Sequence, residues 1–232
     1  MPTRPASRRR IGPTLTLVLF LGLVTLLAAC GGSRELTGTD LGQEPAPDFT
    51  LTDQRGQTVS LSQLRGKAVA LTFIYTHCPD ICPLITQHLR QAYEQLPEDA
   101  QERVALVAIT VDPARDTPEV LQEYSERHGL AENPAWFALT ADAATLEPVW
   151  ASYYVDPGAM MADDHAGADA HGGQGEHGDH ADHKATPAAG DGQQFTHTDA
   201  IFLIDRDGNW RVLLRSGTPP EEIADNLEIL AG

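Results

Sequence analysis

Hydrophobic and polar positions change their period several times along the chain, and these changes predict alternating strands and helices. Continuous apolar runs rich in β-branched residues occupy residues 68–75 and 104–111, as expected for strands buried on both faces of a sheet. Residues 84–96 instead show helical spacing, and a second helix is predicted from Pro118, with Thr117 as its N-cap. This order of strand, helix, strand and helix indicates an α/β fold.

Shorter patterns predict the elements on either side of these. Residues 50–53 and 58–61 flank the turn Gln54-Arg55-Gly56 and predict an N-terminal β-hairpin. The other predicted elements are strands at residues 136–139, 200–205 and 210–214 and helices at residues 142–154 and 219–230. Together these elements predict a mixed sheet of four or five strands with flanking helices.

The first 29 residues have the pattern of an export signal. Four arginines precede an apolar segment at residues 11–27, and Leu27-Ala28-Ala29 leads directly to Cys30. A cysteine in this position resembles the acylated cysteine of bacterial lipoproteins, so we predict a signal peptide over residues 1–29 and lipidation of Cys30. An uncleaved membrane anchor is the alternative. Both predict an extracytoplasmic, membrane-anchored protein on the periplasmic or outer face of a bacterial cell membrane.

The composition is strongly acidic. The chain has 16 Lys and Arg against 33 Asp and Glu, and removal of the four signal arginines leaves 12 basic residues and a net charge of −21. This charge argues against nucleic acid as a partner, because it repels the phosphate backbone. Residues 30–44 are mostly small and polar and predict a flexible tether between the lipid and a domain at residues 45–232.

One segment inside this domain has a different composition. Residues 156–194 consist mainly of Gly, Ala, Asp and His, with almost no large apolar side chain beyond Met160 and Met161. Such a segment cannot build a core, so we predict a flexible His-rich insertion. It is either a solvated loop or an auxiliary site for Cu(II), Ni(II) or Zn(II). The candidate auxiliary ligands are His165, His171, His177, His180 and His183.

The candidate chemistry lies where the first long strand ends. Cys78 and Cys82 stand four positions apart, and if a helix begins near Cys78 both thiols share one helical face. There they can bind one metal ion or close a disulfide; thiolates suit Cu(I), zinc and iron–sulfur clusters. A helix N-terminus also favours the thiolate form. A structural disulfide across so short a loop restricts the unfolded chain little, which favours a functional pair.

A mononuclear thiolate site usually needs a third donor, and His197 is the candidate. It stands just before the strand predicted at residues 200–205. A cysteine pair at the junction of strand and helix in an α/β chain predicts a thioredoxin-like fold, in which the chain before that later strand lies beside the cysteine loop. The fold alone does not fix function.

Three motifs, in this order, resemble the Sco/SenC family of copper proteins. They are Cys-Pro-x-x-Cys-Pro at residues 78–83, Thr-Val-Asp-Pro-x-x-Asp-Thr at residues 110–117, and a histidine followed by Leu-Ile-Asp at residues 197–205. The resemblance covers roughly residues 45–230 apart from the insertion. It implies that a thioredoxin-like domain binds Cu(I) or Cu(II) through Cys78, Cys82 and His197. Strand termination and helix capping explain the two aspartates of the second motif, Asp112 and Asp116, at least as well as a catalytic role does, and the loop that they form is a candidate neighbour of the copper site.

The same resemblance implies a function and partners. Sco/SenC proteins help to load or reduce the dinuclear copper centre of cytochrome c oxidase, so the expected client is the copper-bearing subunit of that oxidase. Other periplasmic copper chaperones and thioredoxin-like reductants are further expected partners. In this role Cys78 and Cys82 are a redox pair as well as metal ligands. The protein is then a metallochaperone rather than an enzyme.

A thiol–disulfide oxidoreductase or redox sensor with a peroxiredoxin-like fold is the alternative. Thioredoxins usually have two residues between their cysteines and a cis-proline before the facing strand, whereas this chain has three residues between them and reads Thr196-His197-Thr198. Peroxiredoxins have a threonine three residues before the reactive cysteine, where this chain has Tyr75. Reduction of a partner's cysteines by this pair stays open.

Overall fold

The computed structural model describes residues 35–166 and 199–232, without the side chains of residues 162–166. The strands are β1 (Thr39–Asp40), β2 (Thr50–Asp53), β3 (Thr58–Ser60), β4 (Ala68–Ile74), β5 (Val104–Thr110), β6 (Trp136–Thr140), β7 (Ala200–Ile204) and β8 (Trp210–Arg215). The α-helices are α1 (Ile81–Gln95), α2 (Glu98–Gln101), α3 (Pro118–Arg127), α4 (Ala143–Ser152), α5 (Pro157–Ala166) and α6 (Pro220–Ala231), and Leu61–Leu64 form a 3₁₀ turn. Within these residues no helix has the length and apolar character needed to cross a membrane.

The strands of the described residues form one mixed sheet in the order β1-β8-β7-β4-β5-β6-β2-β3. β4, β5 and β6 are parallel, and the remaining neighbours are antiparallel. Every residue of β4 and β5 is buried, as their continuous apolar runs predict. The predicted mixed α/β sheet with flanking helices is confirmed, as is the N-terminal hairpin, now β2 and β3.

The sheet is larger than the four or five strands predicted. The hairpin joins it through β6, where Thr52 pairs with Thr140, and β1 extends the other edge by pairing with β8. β1 has only two residues, both exposed, so it carries no periodic pattern that the sequence could reveal. Backbone hydrogen bonding alone, rather than burial, defines this strand.

The N-terminal boundary of the folded unit differs from the predicted tether at residues 30–44, because the unit begins at Leu36. The N–H of Thr37 donates to Oδ1 of Asn226 at 2.9 Å, and Nδ2 of Asn226 donates to Oγ1 of Thr37 at 2.8 Å. Gly38, with a φ of +107°, lies against β8. Hydrogen bonds and close packing thus hold this segment against the rest of the domain. A composition of small polar residues, which predicts a tether, is compatible with such contacts.

The predicted insertion at residues 156–194 also begins differently. Its first part forms α5, and Met160 is buried in the core at 1 % exposure, so these residues do pack. His165 lies in α5, but its side chain is outside the described residues. The rest of the insertion is outside them as well, and with it His171, His177, His180 and His183.

The carboxyl ends of β4 and β5 and the start of β7 lie at the same edge of the sheet, namely the edge formed by strand ends rather than by an outermost strand. The register runs from Ala68 opposite Val104 to Ile74 opposite Thr110, so these two parallel strands end side by side. β7 runs antiparallel to β4, and the Thr72 hydroxyl donates to the carbonyl of Ala200 at 2.9 Å. α1 and α6 pack against each other and against β4. The loops that leave this edge form the candidate site.

Gly38→Ala is expected to lower the free energy of unfolding by about 1–3 kcal/mol, and by more than Gly56→Ala does. A Cβ at position 38 would lie 2.6 Å from side-chain atoms of Leu214 and Val212, in addition to the cost of a positive φ. Gly56 is the matched control, since its φ is +74° but nothing lies within 4 Å of its Cβ position. Urea denaturation measures both variants. Equal losses would contradict the close packing of Gly38 on β8.

Candidate metal centre

The cysteine loop, residues 75–80, connects β4 to α1. α1 begins at Ile81, so the condition of a helix that begins near Cys78 is not met. Cys78 precedes Pro79, and a residue before proline is disfavoured in the helical region. Pro83 is accepted because it lies in the first helical turn, where its missing N–H costs no hydrogen bond.

The two cysteines nevertheless lie in contact. The backbone N–H of Cys82 donates to the sulfur of Cys78 at 3.2 Å. The side chain of Asp80, the N-cap residue, makes no capping bond, so the Cys78 sulfur takes the place of a capping acceptor at the start of α1. Both thiols are free, and Cys78 is 6 % exposed while Cys82 is fully buried.

These surroundings shift the pKa values of the two thiols in opposite directions. The hydrogen bond from the Cys82 side chain, supported by the backbone N–H groups of residues 80–82, lowers the pKa of Cys78 to about 6 despite its burial. The pKa of Cys82 is raised, first by that shared hydrogen bond, then by burial and by the negative charges of Cys78 and Asp116. Near neutral pH the pair therefore holds a thiolate on Cys78 and a proton on Cys82.

A second loop, residues 110–117, lies against the cysteine loop. The fully buried Asp116 accepts hydrogen bonds from the hydroxyls of Thr76 and Thr110, each at 2.6 Å. It also accepts the backbone N–H of Thr76, at 3.2 Å to Oδ2. Asp116 is not the helix cap that its position suggested, because the side chain of Thr117 caps α3. The second motif places Asp116 in this loop, but its contacts with Thr76 and Thr110 could not be predicted from the sequence.

Asp112, the other aspartate of that loop, has a local role. Its carboxylate pairs with Arg115 at 3.0 Å, and its backbone N–H donates to the Thr110 hydroxyl at 2.9 Å. These contacts end β5 and shape the loop, in agreement with the interpretation as strand termination.

The structure brings together two of the three predicted ligands, Cys78 and Cys82. His197 and Cys30 lie outside the described residues. His77 is exposed, and its Nδ1 forms a hydrogen bond of 3.2 Å with the Thr76 hydroxyl. Within residues 35–166 and 199–232 no group of three or more His, Cys, Asp or Glu side chains is arranged to hold a metal ion.

Alkylation of Cys78 by iodoacetamide in the reduced protein is expected to rise with pH around a midpoint near 6, because the thiolate is the reactive form. Cys82→Ala removes the largest cause of the lowered pKa and should move the midpoint toward the ordinary value of about 8.5. Cys82→Ser keeps a side-chain donor and should give an intermediate midpoint. Mass spectrometry of samples quenched across the pH range measures the rates. A wild-type midpoint near the ordinary cysteine value would contradict the described contacts.

Comparison with known proteins identifies the relatives of this chain. The SCO1/SenC family model matches residues 38–171. The SCO2-like protein of Rickettsia felis is 32 % identical over 181 residues, which cover 78 % of this chain and 74 % of that protein. The SCO1 protein homolog of Bacillus subtilis is 33 % identical over 114 residues, or 49 % of this chain and 57 % of the homolog, so the chain spans little more than half of that relative.

Solved structures share the fold. Bradyrhizobium japonicum ScoI, determined with copper bound, is 29 % identical with a TM-score of 0.53, covering 80 % of this chain and 99 % of that one. BsSco, a Sco-family cytochrome c oxidase assembly protein in which a disulfide switch was identified, is 20 % identical with a TM-score of 0.58, covering 84 % and 97 %. The predicted thioredoxin-like fold is thereby confirmed. Since the family model matches more than half of the residues and the Rickettsia relative aligns over most of both chains, this protein belongs to the SCO1/SenC family.

Proposed function

We propose that this protein binds copper through Cys78, Cys82 and His197 and serves the assembly of the dinuclear copper centre of cytochrome c oxidase. The observation that carries the proposal is the pair of buried, free thiols in contact at the carboxyl end of β4. Sulfur donors favour soft metals, and one sulfur is already held as a thiolate. The expected client is the copper-bearing subunit of the oxidase.

Copper fits this donor set better than a metal with one oxidation state. Two thiolates suit Cu(I), and an added imidazole makes the site serviceable for Cu(II) as well. Copper binding by the Bradyrhizobium relative supports the same choice. Loading the site displaces the proton of Cys82, because a metal ligand must be deprotonated.

The position of Ala200 supports His197 as the third ligand. Ala200 begins β7 at the sheet edge from which the cysteine loop leaves. His197 stands three residues earlier in the sequence. Three extended residues span at most about 10 Å, so the short sequence distance to Ala200 supports the choice of His197 as the third donor.

Reduction of a client's cysteines is a second candidate function for the same pair, and the unequal pKa values of the two thiols favour it. The Cys78 thiolate would attack one sulfur of the client disulfide and form a mixed disulfide, releasing the other client sulfur as a thiolate. Cys82 would then lose its proton to that thiolate, and its sulfur would attack the Cys78 sulfur, which releases the second client sulfur as a thiolate that takes a proton from water. The two electrons gained by the client come from the oxidation of the Cys78 and Cys82 sulfurs to a disulfide.

The location proposed for this activity is the outer side of a bacterial membrane. The export signal and the lipobox-like sequence before Cys30 support an anchor attached to that cysteine. Other periplasmic copper chaperones and thioredoxin-like reductants would meet the protein there. The intact mass of the mature protein tests this, because an N-terminus without acyl groups at Cys30 would exclude the anchor.

The reduced protein is expected to bind one copper in this site, and Cys78→Ala, Cys82→Ala or His197→Ala should each weaken binding by more than the roughly 10–100-fold that losing an outer partner of a ligand costs. The Cu(II) form should show a thiolate charge-transfer band. His77→Ala is the matched control and should keep both band and affinity. The oxidised protein should bind no copper here, since a disulfide offers no thiolate. Persistence of the band in Cys82→Ala would refute the assignment.

Deletion of residues 167–183, which leaves α5 intact, should preserve the one-copper site but reduce the number of weaker Cu(II) or Zn(II) ions bound at pH 7. Imidazoles near their ordinary pKa are largely neutral at that pH and can coordinate. Near pH 5 the two proteins should bind equally, because protonated imidazole is not a ligand. Metal titration of both proteins at the two pH values measures this. Equal stoichiometry at pH 7 would mean that these histidines form only a solvated loop.

A further inference from the structure

The carboxylate of Asp116 is buried in a way that neither folding of α3 nor charge pairing explains. It is fully buried, and its hydrogen-bond donors are uncharged: the Thr76 N–H and the hydroxyls of Thr76 and Thr110. Burying a carboxylate is costly unless donors surround it. Thr117 already caps α3, so the helix does not need this side chain.

All three donors belong to the two loops that meet at the candidate site. Thr110 ends β5, and Thr76 stands two residues before Cys78 in the cysteine loop. That loop is a tight turn in which the N–H of Cys78 donates to the carbonyl of Tyr75 at 3.2 Å. Whatever fixes Thr76 therefore fixes the start of this turn. The conformation of this turn also determines where the Cys78 sulfur meets the N–H of Cys82.

We propose that Asp116 is a positioning residue of the copper site: its carboxylate clamps Thr76 and Thr110 together and thereby holds Cys78 in the orientation that meets Cys82. It also places a fixed negative charge beside Cys82. The part of this inference that concerns copper rests on the proposed function. The part that concerns the loop rests on the contacts alone.

A carboxylate suits this task better than an amide. Both of its oxygens accept hydrogen bonds, and the Thr76 N–H cannot rotate to become an acceptor. An asparagine would turn an N–H₂ group toward one of the three donors and lose the charge. Partners of metal ligands that are themselves not ligands commonly act in this way, by orienting the coordinating side chain.

The test uses the reduced mature protein and Cu(II). Asp116→Asn and Thr76→Val should each weaken Cu(II) binding by roughly 10–100-fold in chelator competition and shift the thiolate charge-transfer band. Thr76→Ser, which keeps the hydroxyl, should restore affinity and spectrum. Asp112→Asn is the matched control in the same loop, because its carboxylate pairs with Arg115, and it should leave both unchanged.

A metal-free measurement separates this inference from the proposed function. Amide hydrogen exchange in the reduced apoprotein should show reduced protection at residues 75–78 in Asp116→Asn, while β4 stays protected. If the wild type binds no copper, the proposed function fails, yet the exchange experiment still decides whether Asp116 holds the loop.

Three results would overturn the inference. The first is wild-type affinity and spectrum in Asp116→Asn, and the second is an equal change in Asp112→Asn. The third is unchanged exchange at residues 75–78. If Asp116→Asn does not fold, Thr76→Val decides, since it keeps the carboxylate and removes one donor; a wild-type spectrum in that variant would show that Asp116 only supports the fold.

Discussion

Parallel pairing of β4 with β5 brings the two loops of the candidate site to one edge of the sheet. Their register stays continuous from Ala68 opposite Val104 to Ile74 opposite Thr110, so both strands end at the same level. The cysteine loop follows β4, and the second loop, residues 110–117, follows β5. Residues that are distant in sequence can therefore meet, because the strands already bring the two loops side by side. The chemistry of the pair depends on this register, because a slip would part Thr76 from Asp116.

At that edge, backbone and side-chain groups favour the thiolate on one sulfur and the protonated thiol on the other. The start of α1 offers N–H groups, and the sulfur of Cys78 accepts one of them directly. Cys82 is the second residue of α1, fully buried and beside the negative charge of Asp116. A pair with equal surroundings could also hold one proton, but neither sulfur would then be the preferred thiolate. The unequal surroundings give one good nucleophile and one proton that a metal ion can displace.

Much of this could be predicted from the sequence, because the strongest signals are those of burial. The apolar runs of β4 and β5 and the Thr117 cap before Pro118 were read correctly, since each follows from one local pattern. β1 could not be predicted, because two exposed residues show no period. The start of α1 could not be predicted from the spacing of the cysteines, because Pro79 disfavours a helical conformation at Cys78. The contacts of Asp116 could not be predicted, because Thr76 and Thr110 are brought to it only by tertiary structure.

The difference in exposure between the two cysteines would impose an order of events on any exchange with another molecule. Cys78 keeps a small accessible surface, whereas Cys82 has none. An incoming ligand or sulfur atom therefore reaches Cys78 first, and Cys82 can take part only after that first bond has formed. Any transfer at this site would then be stepwise, with Cys78 as the point of entry and Cys82 as the group that completes or reverses each exchange.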